Sequence, residues 1–211
     1  GYGLDGPLND AEMLDLSTGV WTSLMLLDEP RVSLGAAVCD EFLYLIAGGC
    51  PRGKGTTASV DVFDPTTGTC MGASTLSEAR SRFGFAALDS RLYVVGGWHA
   101  ETRRRAMRSA EVFDCRSGTW TSLPPMAVGR RAPAAAALDG KIYAIGGSAE
   151  NDDPLQSVEA FDPSTSTWAQ VPPMSTPRTA VAAVGFDGKL YVFGGVNREM
   201  RSLSSGEVLT S

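Results

Sequence analysis

The residues best suited to binding chemistry lie in one stretch, WHAETRRRAMRS, at positions 98–109. Guanidinium groups donate paired hydrogen bonds that suit carboxylates and phosphates. Trp98 and His99 open the stretch, where an exposed aromatic side chain could anchor a peptide. We therefore predict a partner-binding loop, with a solvated basic loop and an aromatic packed at a rim as the alternatives. Its four arginines are Arg103, Arg104, Arg105 and Arg108.

A second stretch, GGCPRGKGT, comes close to the phosphate-binding loop Gly-x4-Gly-Lys-Ser/Thr. Gly55 stands where that motif needs the hydroxyl that binds magnesium, and the motif also requires a following helix. The residues that follow, TTASVDVFD, have the pattern of a strand. We therefore do not predict nucleotide binding.

Catalysis and metal binding are not favoured, because His99 is the only histidine and no Cys-x-x-Cys pair occurs. We predict no catalytic residue, no metal, no cofactor and no enzymatic activity. The widely spaced cysteines are typical of reduced thiols in a cytoplasmic protein. They are Cys39, Cys50, Cys70 and Cys115.

The net charge of −6 disfavours a general nucleic-acid or anionic-membrane surface, since such surfaces need a basic face. No apolar run approaches the roughly 18 residues of a membrane helix. The first residues lack the basic and apolar stretches of a secretory signal. We predict neither a nucleic-acid nor a membrane partner.

Three markers recur with spacings of 49, 50 and 48 residues, and these spacings define a repeat. One of the three markers is a tryptophan in every copy but the second, where Cys70 takes its place. The loss of a large apolar side chain there predicts looser packing. The markers are Arg31, Arg80, Arg130 and Arg178; Tyr44, Tyr93, Tyr143 and Tyr191; and Trp21, Cys70, Trp120 and Trp168.

Each repeat has the pattern of four short strands, with Asp-Gly type turns between the first two and glycine doublets after the second. The doublets in RLYVVGG, KIYAIGG and KLYVFGG, with the tyrosine and tryptophan in phase, resemble the kelch family. The resemblance implies an all-β propeller of four-stranded antiparallel blades, four or more in number. Kelch domains commonly have six blades, so the chain is either a closed ring or a piece of a larger one.

We predict a single kelch domain over residues 1–211. Both chain ends supply a third strand, so GEVLTS at the C-terminus competes with the N-terminal strands for one closing blade, unless the ring is cut. An unpaired blade edge favours strand exchange with a second copy, which would give a homodimer. The predicted parts are the outer two strands of a split blade at 1–30, full repeats at 31–79, 80–129 and 130–177, and the inner strands of the last repeat at 178–211.

The resemblance also implies a site. In kelch proteins that receive peptides, polar residues two positions after the repeat arginine face a central pocket and hold acidic side chains. Those positions carry Arg82 and Ser33 in two repeats, and Ala132 and Ala180 in the others. Arg82 and Ser33 are therefore candidates for binding an acidic peptide.

The functional expectation is a protein-interaction module that uses the long loops between second and third strands. Its resemblance to adaptors with upstream BTB and BACK domains implies substrate recognition for a cullin-RING ubiquitin ligase, with cullin-3 bound through the BTB domain. Fold alone does not determine the partner. The alternatives are an actin-binding scaffold and a kelch-type enzyme, such as an oxidase or a sugar epimerase.

Overall fold

The structure is a computed structural model that describes residues 1–4, 6–25, 27–50, 55–101 and 106–210. All regular elements of these residues are β-strands, paired in antiparallel sheets. The all-β prediction is therefore confirmed. No helix in the described part of the chain is long and apolar enough to cross a bilayer.

The chain begins with two hairpins. In the first, β1 (Tyr2–Gly3) pairs with β2 (Gly6–Pro7), and in the second, β3 (Asp10–Asp15) pairs with β4 (Val20–Met25). The second, which we call the N-terminal hairpin, packs Ala11 and Leu24 against the core around Leu45. It forms a two-stranded sheet of its own.

Three four-stranded meanders follow, which we call blades 1, 2 and 3. Within each blade the strands pair in chain order, as blades of a kelch propeller do. Blade 1 consists of β5 (Gly35–Cys39), β6 (Phe42–Gly49), β7 (Thr56–Asp64) and β8 (Thr69–Gly72). Blade 2 consists of β9 (Gly84–Leu88), β10 (Arg91–Val95), β11 (Ala110–Asp114) and β12 (Thr119–Leu123). Blade 3 consists of β13 (Ala134–Leu138), β14 (Lys141–Ile145), β15 (Val158–Asp162) and β16 (Thr167–Val171).

Blade 4 has three strands, β17 (Ala182–Phe186), β18 (Lys189–Phe193) and β19 (Gly206–Thr210). The C-terminal segment therefore pairs as a third strand, with Val208 opposite Tyr191. Its hydrogen bonds do not join it to the N-terminal hairpin within the described residues. The split blade and the domain boundaries stay predictions.

The hairpin turns follow from their residues. Asp139 and Gly140, between the first two strands of blade 3, both have positive φ values, 49° and 73°. A two-residue turn of this conformation matches the twist of the strands that it joins, and it favours Asp-Gly. Because this turn reverses the chain within two residues, the first two strands of the blade pair directly as a hairpin.

The repeated tyrosines join neighbouring blades. Tyr44 of blade 1 lies 5.1 Å, between ring centroids, from Phe113 of blade 2, and Tyr93 of blade 2 lies 6.2 Å from Phe161 of blade 3. Phe161 in turn contacts the repeat tryptophan of its own blade, Trp168, at 5.2 Å. The core therefore lies mainly between blades, as a stacked series of apolar layers.

The expectation of four reduced cysteines is wrong for two of them. Cys39 at the end of β5 and Cys115 after β11 form a disulfide, with their Cα atoms 6.4 Å apart. Their 76-residue separation hides the pair in the sequence, but the stacking of blades 1 and 2 brings the two ends together. Cys50 and Cys70 are free.

Candidate functional site

A buried arginine precedes the first strand of each blade and pairs with a carboxylate on the third strand. The most buried pair joins Arg130 Nη2 to Glu159 Oε1 at 3.0 Å, with both side chains at most 1% exposed. Burial lowers the pKa of Arg130, and the hydrogen bond and charge of Glu159 oppose that shift. The four pairs are Arg31–Asp61, Arg80–Glu111, Arg130–Glu159 and Arg178–Glu207.

The same ion pairs hold the linkers between blades. Glu159 accepts hydrogen bonds from the backbone N–H groups of Ala127 and Val128, at 2.7 and 3.3 Å. Arg130 Nη1 donates to the carbonyls of Gly146 and Ser157, both at 2.8 Å. The Arg130–Glu159 pair thus connects the linker to the ends of the second and third strands of blade 3. These contacts fix where the chain enters the first strand of that blade.

Two residues after each of these arginines, the backbone adopts a left-handed conformation. Their peptide groups form a chain of hydrogen bonds across the blades: Arg82 N–H donates to Ser33 C=O at 3.4 Å, Ala132 N–H to Arg82 C=O at 2.7 Å, and Ala180 N–H to Ala132 C=O at 3.0 Å. Residues with a Cβ adopt this conformation at a cost of about 1–2 kcal/mol. Its recurrence in four different sequence contexts indicates that blade packing imposes it. The φ values are 52° at Ser33, 51° at Arg82, 51° at Ala132 and 52° at Ala180.

The same four residues line one cavity, of about 620 Å³, at the inner end of the blades. The cavity therefore brings together Arg82 and Ser33, the two residues that the resemblance singled out. Part of its wall is apolar and part carries charge. The apolar part comprises Leu34, Phe83, Pro133, Pro154, Val196 and Met200, and the charged residues are Arg82, Arg131, Asp152 and Arg198.

Among the described residues, Arg82 is the arginine of this cavity that forms no ion pair. It is exposed, and only its backbone takes part in the hydrogen bonds of the described residues. Arg131 by contrast holds Asp152 at 2.6 Å, and Arg198 holds Asp153 at 3.2 Å. The Arg82 guanidinium can therefore accept an anionic group from outside without breaking an existing ion pair.

Of the other predicted binding residues, Trp98, His99 and Arg108 are not part of the cavity lining. Trp98 is half-buried, and its backbone exchanges hydrogen bonds with Ser81 at 2.8 and 3.0 Å. His99 is also half-buried. Arg108 is exposed, but its Nε donates to the carbonyl of Met126 at 2.7 Å, which ties it to a linker. Arg103, Arg104 and Arg105 lie outside the described residues.

The described residues contain no group of three His, Cys, Asp or Glu side chains that could hold a metal ion. The strand expected after the stretch that resembles a phosphate-binding loop is present as β7. A sheet strand at that position supplies no helix N-terminus to face a phosphate.

Sequence reasoning missed Arg131 and Arg198 as cavity residues and Asp152 and Asp153 as their partners. Arg131 follows a repeat arginine directly, and the two aspartates stand together in the loop after β14, so both signals were visible. Their pairing was not visible, because it depends on the path of irregular loops. The role of the repeat acid was also missed, although Glu159 and its equivalents recur in phase with the arginines.

Comparison with known proteins agrees with this architecture. The family model of the FKB95 Kelch-repeats domain matches residues 70–194, which is more than half of the 211-residue chain. No curated protein matches the chain. The match begins at Cys70 of blade 1 and ends within the glycine doublet after β18. The chain therefore belongs to the kelch-repeat family.

Proposed function

We propose that this chain is a protein-interaction module that receives an acidic segment of a partner in the cavity at the inner end of its blades. Kelch repeats generally serve protein binding, and the cavity supplies a specific place for it. The observation that carries the proposal is the guanidinium of Arg82, which forms no ion pair among the described residues and is held at the cavity with Ser33 beside it. The module acts by binding, without catalysis.

The cavity suits a carboxylate for two reasons. A planar guanidinium forms paired, charge-assisted hydrogen bonds with a carboxylate, which are about twice as strong as neutral ones. The contacts of Asp152 with Arg131 and of Asp153 with Arg198 indicate that the other two arginines of the cavity already bind carboxylates. A partner's Asp or Glu would make the same kind of contact with the third arginine.

The apolar part of the cavity wall adds to affinity but does not distinguish acidic from basic partners. Phe83 and Met200 line the cavity close to the charged residues, so a hydrophobic side chain next to the partner's acid would lose its water contacts there. Ligand sites commonly combine such a wall with a few polar groups that fix orientation. We therefore expect a motif in which an acidic residue is flanked by an apolar one.

A selection from a display library of random peptides tests this proposal. The purified chain should enrich peptides with Asp or Glu, and changing that acid to Asn or Gln should weaken binding about tenfold or more, as expected for hydrogen bonds to a charged group. Arg82→Ala should weaken binding of the same peptides to a similar extent. Arg116→Ala is the matched control, since Arg116 is an exposed arginine in the β11–β12 turn, outside the cavity lining. Equal binding by wild type and Arg82→Ala would contradict the proposal.

The biological setting is a further part of the proposal. An adaptor of a cullin-RING ubiquitin ligase, working in the cytoplasm with cullin-3 bound by an upstream BTB domain, would present such a cavity to its substrates. Affinity purification of the full-length protein from cells should recover a cullin and ubiquitinated clients. Recovery of neither would refute the ligase setting, while the peptide selection would still test the binding function.

A further inference from the structure

The disulfide joins two neighbouring blades at the ends of their strands opposite the cavity. Cys39 is the last residue of β5 in blade 1, whereas Ser33, which lines the cavity, precedes the same strand. Cys115 directly follows β11 in blade 2. The bond therefore spans the joint between blades 1 and 2 at the far end of the innermost strand.

Both cysteines replace another residue of the repeat. In the strand register, Cys39 occupies the position of Leu88 in blade 2 and Leu138 in blade 3. Cys115 stands in the turn where blade 3 has Pro163. The two departures fall on the two sides of one joint, and the corresponding positions at the joint between blades 2 and 3 are leucine and proline, which cannot form a covalent bond.

The first strands of blades 1 and 2 are also packed less closely than those of blades 2 and 3. A Cβ added to Gly35 of blade 1 would meet the rings of Phe83 and Phe85, whereas a Cβ added to Gly84 of blade 2 would meet the backbone of blade 3. Aromatic rings therefore separate β5 from β9, and the backbones of β9 and β13 approach directly. The backbone hydrogen bond across the first joint is accordingly longer, 3.4 Å against 2.7 Å at the second.

Noncovalent contacts keep the two cysteine positions near each other without the bond. Ser90, in the β9–β10 turn, donates its hydroxyl hydrogen to Asp40 Oδ1 at 3.0 Å, and Asp40 follows Cys39. The Ser90 carbonyl accepts the N–H of Cys115 at 3.1 Å. Ser90 therefore bridges the neighbours of both sulfur atoms, so a reduced pair stays in position to close again.

We propose that Cys39 and Cys115 form a reversible redox clip that sets the rigidity of the joint between blades 1 and 2. A small-molecule disulfide such as oxidised glutathione serves as the oxidant. The thiolate of Cys115, which is partly buried and more accessible than buried Cys39, attacks it and releases one glutathione thiol. Cys39 then attacks the mixed disulfide, the intramolecular bond forms, and the second glutathione thiol leaves. Two electrons and two protons pass from the protein thiols to glutathione.

The test uses the whole chain equilibrated in glutathione buffers of increasing oxidation, followed by alkylation and mass spectrometry. Reversible formation of the Cys39–Cys115 bond under native conditions is the expected result. The oxidised form should melt on the order of 10 °C above the reduced form, because the bond closes a long loop. Hydrogen exchange of the β5 amides should be at least about tenfold faster in the reduced form, while the β14 and β15 amides stay unchanged, since opening of one joint is a local event.

Matched variants separate the clip from general thiol effects. Cys115→Ala should melt and exchange like the reduced wild type in every buffer, whereas Cys70→Ser, which removes a free thiol, should keep the full redox response. Wild-type protein alone also suffices if Cys115→Ala does not fold. The proposal is overturned by failure of the bond to form, by its resistance to glutathione in the native state, or by equal melting and β5 exchange of the two redox forms.

Discussion

Loss of the buried charge at Glu159 should destabilise the protein more than the same substitution at Glu207. Glu159→Gln removes the negative charge that faces Arg130, whose side chain is 0% exposed and cannot reach water. Breaking a buried ion pair by removing one partner costs about 3–5 kcal/mol, because the remaining charge stays buried. For a chain of this size, each kcal/mol lowers the melting temperature by about 2–4 °C. We therefore expect a fall on the order of 10 °C.

Glu207→Gln is the matched control. Glu207 makes the equivalent contact with Arg178 at 3.1 Å, but its side chain is 20% exposed, since blade 4 has three strands in the structure. Arg178 is itself only 1% exposed, but water at the partly exposed carboxylate screens the pair, so we expect a loss of about 1.5–2 kcal/mol, in the lower range for a hydrogen bond to a charged group.

Urea unfolding followed by circular dichroism measures both variants against the wild type. Glu159→Gln should reduce the free energy of unfolding by at least about 1 kcal/mol more than Glu207→Gln, because the first pair is buried and the second is partly exposed. Equal losses in the two variants, or a loss below about 1 kcal/mol for Glu159→Gln, would refute the assignment of Arg130–Glu159 as the tie between linker and blade.

Three other predictions concern the left-handed backbone at Ala132, the repeat tryptophan Trp120 and the repeat acid Glu207. Ala132→Gly should raise the free energy of unfolding by up to about 1 kcal/mol by removing left-handed strain, whereas Ala136→Gly within β13 should lower it by about the same amount. Trp120→Phe should lower it by about 1 kcal/mol through loss of the 3.2 Å hydrogen bond from Nε1 to the Ser74 carbonyl. Stability should fall as the pH drops below 4.5, the ordinary pKa of Glu207, and this fall should be smaller in Glu207→Gln.

The acid prediction follows from the sign of the pKa shift. Burial by itself would raise the pKa of Glu207, but hydrogen bonds from Ser175, Arg178 and Thr176 outweigh it, and the pKa is lowered. A lowered pKa in the folded state stabilises the protein above the unfolded-state pKa, and that contribution disappears as the pH falls through the folded-state value.

Equilibrium unfolding at fixed pH checks the three stability variants Ala132→Gly, Ala136→Gly and Trp120→Phe, and melting curves between pH 7 and about pH 3 check the acid prediction. A lower free energy of unfolding in Ala132→Gly than in the wild type would mean that the left-handed backbone at Ala132 is not strained. A Trp120→Phe variant with the same free energy of unfolding as the wild type would mean that the indole hydrogen bond does not contribute to stability. An identical acid response in Glu207→Gln would assign the pH dependence to other carboxylates.

The blades could be predicted because their information is local and repeated. The Asp-Gly turns determine which strands pair, and the recurring tyrosines and tryptophans show where each sheet begins again. The family and the fold class follow from these features, and the family match supports both. The placement of Arg82 and Ser33 at one cavity follows from the same register, because equivalent positions of neighbouring blades line that cavity.

Contacts between irregular segments could not be predicted. The pairing of Arg131 with Asp152 depends on a loop in which Asp152 has a φ of 67°, a conformation that no repeat marker indicates. The bond between Cys39 and Cys115 depends on how blade 1 stacks on blade 2, and 76 residues separate the two in the chain. Periodicity specifies each sheet, but it does not specify the distances between side chains of different sheets.

The central claim is that Arg82 selects an acidic partner, and reversal of its charge tests that claim most directly. Selections from one random peptide library on the wild type, Arg82→Glu and Arg116→Glu compare the same charge change inside and outside the cavity. We predict that wild type and Arg116→Glu enrich the same acidic peptides, while Arg82→Glu loses them. Enrichment of the same acidic peptides by Arg82→Glu would contradict the account.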